Sequence, residues 1–211
     1  MRTRAFVFPG SVPGYALTKN GFVLTIITVL LVMAINQATF SLGHSYDDDC
    51  VVIKIAGRAN CNSTENFSNL IDTEIKKGVM KFIFDLSECQ IMDSSFLGTI
   101  VAKMEAAKKE KNCLWVELFD AAPRILELME DLGALSLFKV MNTDKELAVN
   151  YQAVSGESSC DKLTLLRNSV HAHETLLQFI TKPDKKAAIE SLVQMLRAEL
   201  ESEEANLENK S

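Results

Sequence analysis

Between Thr39 and Met141 the spacing of apolar residues changes period again and again, and this switching restricts the fold more than any other feature of the chain. Thr39–Leu42 is a weak strand and Val51–Ala56 a stronger, β-branched one. Asp47, Asp48 and Asp49 lie between them as a turn, which predicts a hairpin. After Gly57, Asn62 followed by Glu65 predicts a helix cap with its reciprocal acid, and Phe67, Leu70, Ile71 and Ile75 then fall at helical spacing up to Lys76, Lys77 and Gly78. Met80–Leu86 is almost continuously apolar, as befits a central strand covered on both faces. A second helix follows Asp93, with Phe96, Leu97, Ile100, Val101 and Met104 on one face. Cys113–Phe119 predicts another strand, with Trp115 packing in it. Pro123 opens a third helix that carries Ile125, Leu128, Met129 and Leu132 to Gly133, and Phe138–Met141 predicts a last short strand.

Strands and helices taken in turn imply right-handed crossovers and a sheet that is largely parallel. The expected class is therefore α/β: a mixed sheet of four to five strands packed with helices over residues 39–150, followed by an α-helical extension over residues 151–211. In the extension, a polar linker at Ser155–Ser159 leads into a helical hairpin. Leu163, Leu166, Val170, Leu177 and Ile180 mark its first arm, Pro183 breaks it, and Ala188, Leu192, Met195 and Leu196 mark its second. Glu199, Glu201, Glu203, Glu204 and Glu208 predict a solvated or frayed acidic end.

Residues 1–38 form a leader of open meaning. Phe22–Ile35 is an unbroken run of apolar residues and threonines, and as a helix it rises about 21 Å, short of the roughly 30 Å hydrocarbon core. Three readings stand: a start-site artefact with Met33 as the true start, a membrane anchor over residues 22–42, or a cleaved signal with a poor site at Asn36 and Ala38.

Composition narrows the function classes. Apolar residues make up 47% and charged residues 24%, which suits a folded chain rather than a disordered one. Net charge is −6, and because Arg2, Arg4 and Lys19 are the only charges before Asp47, the folded part is more acidic still. Such a surface repels phosphate backbones, so no nucleic-acid partner is expected. The five cysteines contain no Cys-x-x-Cys pair, which predicts free thiols in a reducing cytoplasm rather than a disulfide framework or zinc site. His171 and His173, two apart on a helix, point to different sides and do not make a metal pair. Asn62-Ser63-Thr64 and Asn66-Phe67-Ser68 match glycosylation acceptors, but the first is better explained as a cap and the second lies inside a helix. No nucleophile elbow, phosphate-cradling loop or dinucleotide fingerprint occurs, so neither an enzyme nor a cofactor is expected.

Asp85-Leu86-Ser87 and Ile91-Met92-Asp93-Ser94-Ser95-Phe96-Leu97-Gly98 carry the most information about function. The second stretch sets two hydroxyls after an acid at a strand-to-helix junction, where the first-turn amides and the helix dipole would tolerate a phosphate on Ser94. Such residues also serve simply as helix caps, and periodicity alone does not choose between the roles. Together with Gly57 and with Leu132-Gly133 before Leu137-Phe138, these elements resemble the STAS domain of bacterial anti-sigma-factor antagonists over about residues 39–142.

That resemblance implies a cytoplasmic protein-binding module in transcription regulation by partner switching, whose partner is an anti-sigma factor that is itself a serine kinase. Ser94 matches the family's phosphorylated serine and Ser95 the adjacent hydroxyl, and the implied partner interface is Asn60, Asp93, Ser94, Ser95 and Phe96. Two positions depart from the family pattern. Phe96 stands in place of a glycine, as a bulky ring beside the acceptor or a hydrophobic anchor, and Asn60 stands in place of an acid. The alternative is a STAS subunit docked on a lipid or anion transporter, with residues 22–42 as anchor and Phe96 in a fixed interface.

Overall fold

The computed structural model describes residues 37–44, 50–109, 114–141, 147, 149–154 and 161–208. The leader up to residue 36, the turn at 47–49, the linker at 155–159, Cys113 and Cys160 lie outside the described residues.

Strand β1 (Ala38–His44) pairs antiparallel with β2 (Cys50–Ala59), setting Phe40 opposite Ile55 and Leu42 opposite Ile53. On its other side β2 pairs parallel with β3 (Lys81–Asp85), which pairs with β5 (Trp115–Phe119), which in turn pairs with β6 (Lys139–Met141). With strands on both sides and cover on both faces, Val51, Val52, Ile53 and Ile55 of β2 are fully buried. Two further strands complete the sheet. These are β4 (Cys89–Met92), parallel to the end of β2, and β7 (Gln152–Ala153), antiparallel to β1. The described sheet thus has seven strands rather than four to five, in the order β6-β5-β3-β2-β1-β7 with β4 on β2. The added strands lack the apolar signal that would betray them: Gln90 and Ile91 in β4 and both residues of β7 are exposed.

Among the described residues five helices accompany the sheet: α1 (Thr64–Lys76), α2 (Ser94–Lys109), α3 (Pro123–Asp131), α4 (Lys162–Leu176) and α5 (Pro183–Glu208). The cap expected at Asn62 is not there. A short 3-10 turn, Cys61–Ser63, precedes α1, and Asn60 caps that turn by accepting the Asn62 amide. Phe67 of α1 and Phe96 of α2 meet Phe40 and Phe84 of the sheet in an aromatic core, with the Phe67 and Phe96 centroids 4.7 Å apart. A smaller cluster of Cys50, Val52, Ile83 and Phe119 is covered by Met141, Leu147, Val149 and Tyr151. There the Tyr151 hydroxyl donates to Asp85 at 2.7 Å, and burial and the Asp85 carboxylate together hold the phenol well above its ordinary range. Trp115, expected to pack, is 55% exposed, and its indole N–H donates to Glu117 along the strand.

The hairpin of α4 and α5 is part of the same core. Leu176, Ile180, Ile189 and Val193 are buried in the cluster that contains the sheet's apolar residues. Gly133 permits the contact at the hairpin's turn, because its φ is +70° and a Cβ there would overlap the Phe179 carbonyl. The acidic end is neither frayed nor merely solvated. It stays helical to Glu208, with Glu199 and Glu203 on Lys162 and Glu204 on Arg167.

Lys182 and Lys185 both bind Asp131 at 2.7 Å, and these hydrogen bonds pull its carboxyl down to about 2. A depressed folded-state pKa stabilises above the unfolded value of about 3.9 and stops doing so as pH falls through the folded one. Asp131→Asn is accordingly expected to lower the thermal midpoint above about pH 5, with the gap from wild type closing towards about pH 2. A gap that stays constant across that range would disprove the clamp.

Candidate functional site

Three local features deliver Asp93 and Ser94 to one end of the sheet. Gly57, at φ +85°, sits where the register of β2 shifts, and the shift lets β2 leave β3 and pair with β4. β4 then ends at Met92, and the Asp93 amide donates to the Ala59 carbonyl at 2.9 Å. Finally, the Asp93 carboxylate ties the two segments together: Oδ1 accepts the Phe96 amide at 2.8 Å, opening α2, and Oδ2 accepts the Cys61 amide at 3.0 Å. Burial pushes this carboxyl above its usual range, against the opposing pull of the Phe96 and Cys61 amides and of His173.

The capping role settles what the first turn of α2 offers. Of the amides at this end, Phe96 N–H donates to the Asp93 carboxylate and Leu97 N–H to the Asp93 carbonyl. An acid already occupies the positive end of the helix, so a phosphate on Ser94 would be a second anion there rather than the occupant of an open socket.

Ser94 is half-buried, and its hydroxyl lies 2.8 Å from Nε2 of His173, which belongs to α4 and is 2% exposed. The other ring nitrogen, Nδ1, lies 2.7 Å from the Ser169 carbonyl, which can only accept. Nδ1 therefore carries a proton, and in the neutral ring Nε2 accepts the Ser94 O–H. The pair has the form of a nucleophile and its base, but a backbone carbonyl rather than an acid orients the imidazole, and Asp93 takes the Phe96 amide.

The remaining predicted site residues divide. Asp93 precedes Ser94, and Asn60 precedes Cys61, whose amide Asp93 accepts; both side chains hold backbone together. Ser95 is buried, and Phe96 is 0% exposed with its ring against Phe67 and stacked on Phe40. Neither is presented to a partner, and Phe96 is a core residue rather than a surface anchor. The physical reason is helical phase: position 96 shares the apolar face of α2 with Leu97, Ile100 and Val101. Asp85 and Ser87 bond to each other and, through Asp85, to Tyr151, so they do not join the site. His173 is the residue that sequence reasoning missed. Its only signal was a histidine among the apolar positions of α4, 79 residues from Ser94.

The other nearby chemistry is inert. Burial first, and then the Asp93 charge, raise the Cys61 thiol, while burial pushes the Cys89 thiol up to about 11, so neither is a ready thiolate. Among the described residues no group of three metal-binding side chains occurs, and no helix is long and apolar enough to cross a membrane. A cleft of about 200 Å³ opens between α1, α2 and α4, with Lys103 in its wall already neutralised by Asp72.

The STAS domain model matches residues 45–147. The chain carries a STAS domain. Among solved structures, the STAS region is similar to the anti-sigma factor antagonist SpoIIAA in its unphosphorylated form, at 20% identity over 49% of this chain and 88% of that one, with a TM-score of 0.42. The Bacillus cell fate determinant SpoIIAA in its phosphorylated form is similar at 20% identity over 49% and 91%, with a TM-score of 0.39. SLC26A9 is similar at 11% identity over 53% of this chain but 23% of that one, with a TM-score of 0.40. Likeness at this level makes no statement about partners. No curated protein matches the chain.

Proposed function

We propose that this STAS protein is a binding module of the anti-sigma-factor-antagonist type, cytoplasmic and not an enzyme, whose hold on a kinase-like partner depends on the charge at Ser94. The observation that carries the reading is the placement of the Ser94 hydroxyl: at the start of α2, half-buried, and bonded to a side chain of another element. A group so placed reports its charge to whatever packs over it. Phosphate adds about −1.5 to −2 charges next to the Asp93 carboxylate, which already caps this end of the helix, so repulsion and desolvation act against any surface seated there. The family resemblance of the Asp93-Ser94-Ser95 element supports Ser94 as the acceptor, and the burial of Ser95 disfavours its neighbour.

Partner capture by wild type, Ser94→Ala and Ser94→Asp tests this, with the serine-kinase anti-sigma factor of the same cell as probe. Wild type and the alanine variant are expected to bind alike, and the aspartate variant about tenfold or more weaker. Equal binding by all three would refute the switch. Equal binding together with sedimentation of the protein with membranes would favour the transport-subunit alternative.

A further inference from the structure

The face of α2 that carries Ser94 is already occupied by another helix of the same chain. Ser94 and Gly98 are four residues apart and therefore share one side of α2, while Phe96, Leu97, Ile100 and Val101 pack into the core. α4 lies along that side. At the crossing, a Cβ on Gly98 would come within 2.5 Å of the Ala172 carbonyl oxygen and 2.8 Å of the Ala172 Cβ, so the two helices meet through their smallest residues. One turn away along α2, His173 reaches the Ser94 hydroxyl. The contact thus combines a close helix crossing with a side chain that reads the chemical state of residue 94.

We propose that α4 is an intrachain occupant of the Ser94–Gly98 face, held by the Ser94–His173 hydrogen bond and released by negative charge at residue 94. The inference rests on the functional reading above in assigning that face to a partner, and it adds that a partner must compete with the chain's own hairpin. The geometry gives the reason for release. His173 Nε2 sits at hydrogen-bond distance from Ser94 Oγ, which leaves no room for a phosphoryl group between them, and Asp93 supplies a like charge beside it.

Hydrogen–deuterium exchange of the full chain, with no partner present, tests the proposal. The comparison is among wild type, Ser94→Ala, Ser94→Asp, Ala172→Leu and His171→Glu. Ala172→Leu forces the crossing apart from the α4 side, and His171→Glu, at an exposed position that lines the cleft beside the crossing, controls for a charge added on α4 away from residue 94. Ser94→Asp and Ala172→Leu are expected to speed exchange in α4 by about tenfold or more while β3 and β5 keep their protection, with Ser94→Ala, which loses the hydrogen bond but adds no charge, speeding it less than Ser94→Asp and His171→Glu changing it by no more than about threefold. The proposal is overturned if Ser94→Asp leaves α4 as protected as in wild type. It is equally overturned if β3 and β5 lose protection in step with α4, since the hairpin and the sheet would then open as one unit. Without a partner in the tube, either failure leaves the binding test standing. Release of α4 combined with partner binding indifferent to residue 94 would sink the functional reading alone.

Discussion

Replacing Phe96 by alanine is expected to lower the unfolding free energy by about 3–5 kcal/mol, read as a fall in the urea midpoint at unchanged slope. The ring is fully buried, 4.7 Å from Phe67 and stacked on Phe40 at 6.2 Å. These contacts tie α2 to α1 and β1 at once, and the rigid sheet beneath gives the cavity little scope to collapse. Phe96→Gly restores the residue usual in the resembled family, yet is expected to cost about 1 kcal/mol more than alanine, because glycine in a helix loses more backbone freedom. A loss under about 1 kcal/mol for the alanine variant would mean that the ring is not part of the packed core.

Gly133→Ala is the second large effect, expected to destabilise by roughly 2–5 kcal/mol through left-handed strain and overlap with the Phe179 carbonyl together. The strain arises because φ is +70° at this position, a conformation that glycine adopts freely. The overlap arises because a Cβ would enter the backbone of the hairpin's turn, which a side-chain rotation cannot relieve. Thermal unfolding followed by circular dichroism measures the loss, and Gly78→Ala is the informative comparison. Gly78 also has positive φ but has open space around it, so its variant should show the strain without the overlap. If the two variants lose the same amount, the Gly133–Phe179 approach contributes nothing.

How far each feature was legible depends on how local its cause is. β2, β3, α2 and α3 were readable because burial on both faces, or on one helical stripe, writes its own period into the chain. β4 and β7 were not, because β7 is two exposed residues and β4 four residues of which only the ends, Cys89 and Met92, are buried, too short a run to show a period. At the site, the Asp93-Ser94-Ser95 triplet was visible and its helix-capping chemistry was predictable in kind. For Phe96 the apolar stripe of α2 points to the core and the family resemblance to an interface, and its burial follows the stripe. The reading of Trp115 as packed failed, since the first residue of a strand lies at the rim of the sheet, where alternation is a poor guide to burial.

Sequence alone determined the succession of the main strands and helices, the resemblance of the domain and the place of the Asp93-Ser94-Ser95 triplet at a strand-to-helix junction, because these follow from short-range periodicity and from residues adjacent in the chain. Only the tertiary structure decided what lies against that hydroxyl. The Asp93 cap takes up the amide of Cys61, 32 residues away in the chain, and the His173 imidazole lies 79 residues from Ser94. Whether a charge at Ser94 is welcomed or expelled depends on those long-range neighbours, since the energy of an ion is set by what surrounds it in space and not by what precedes it in sequence.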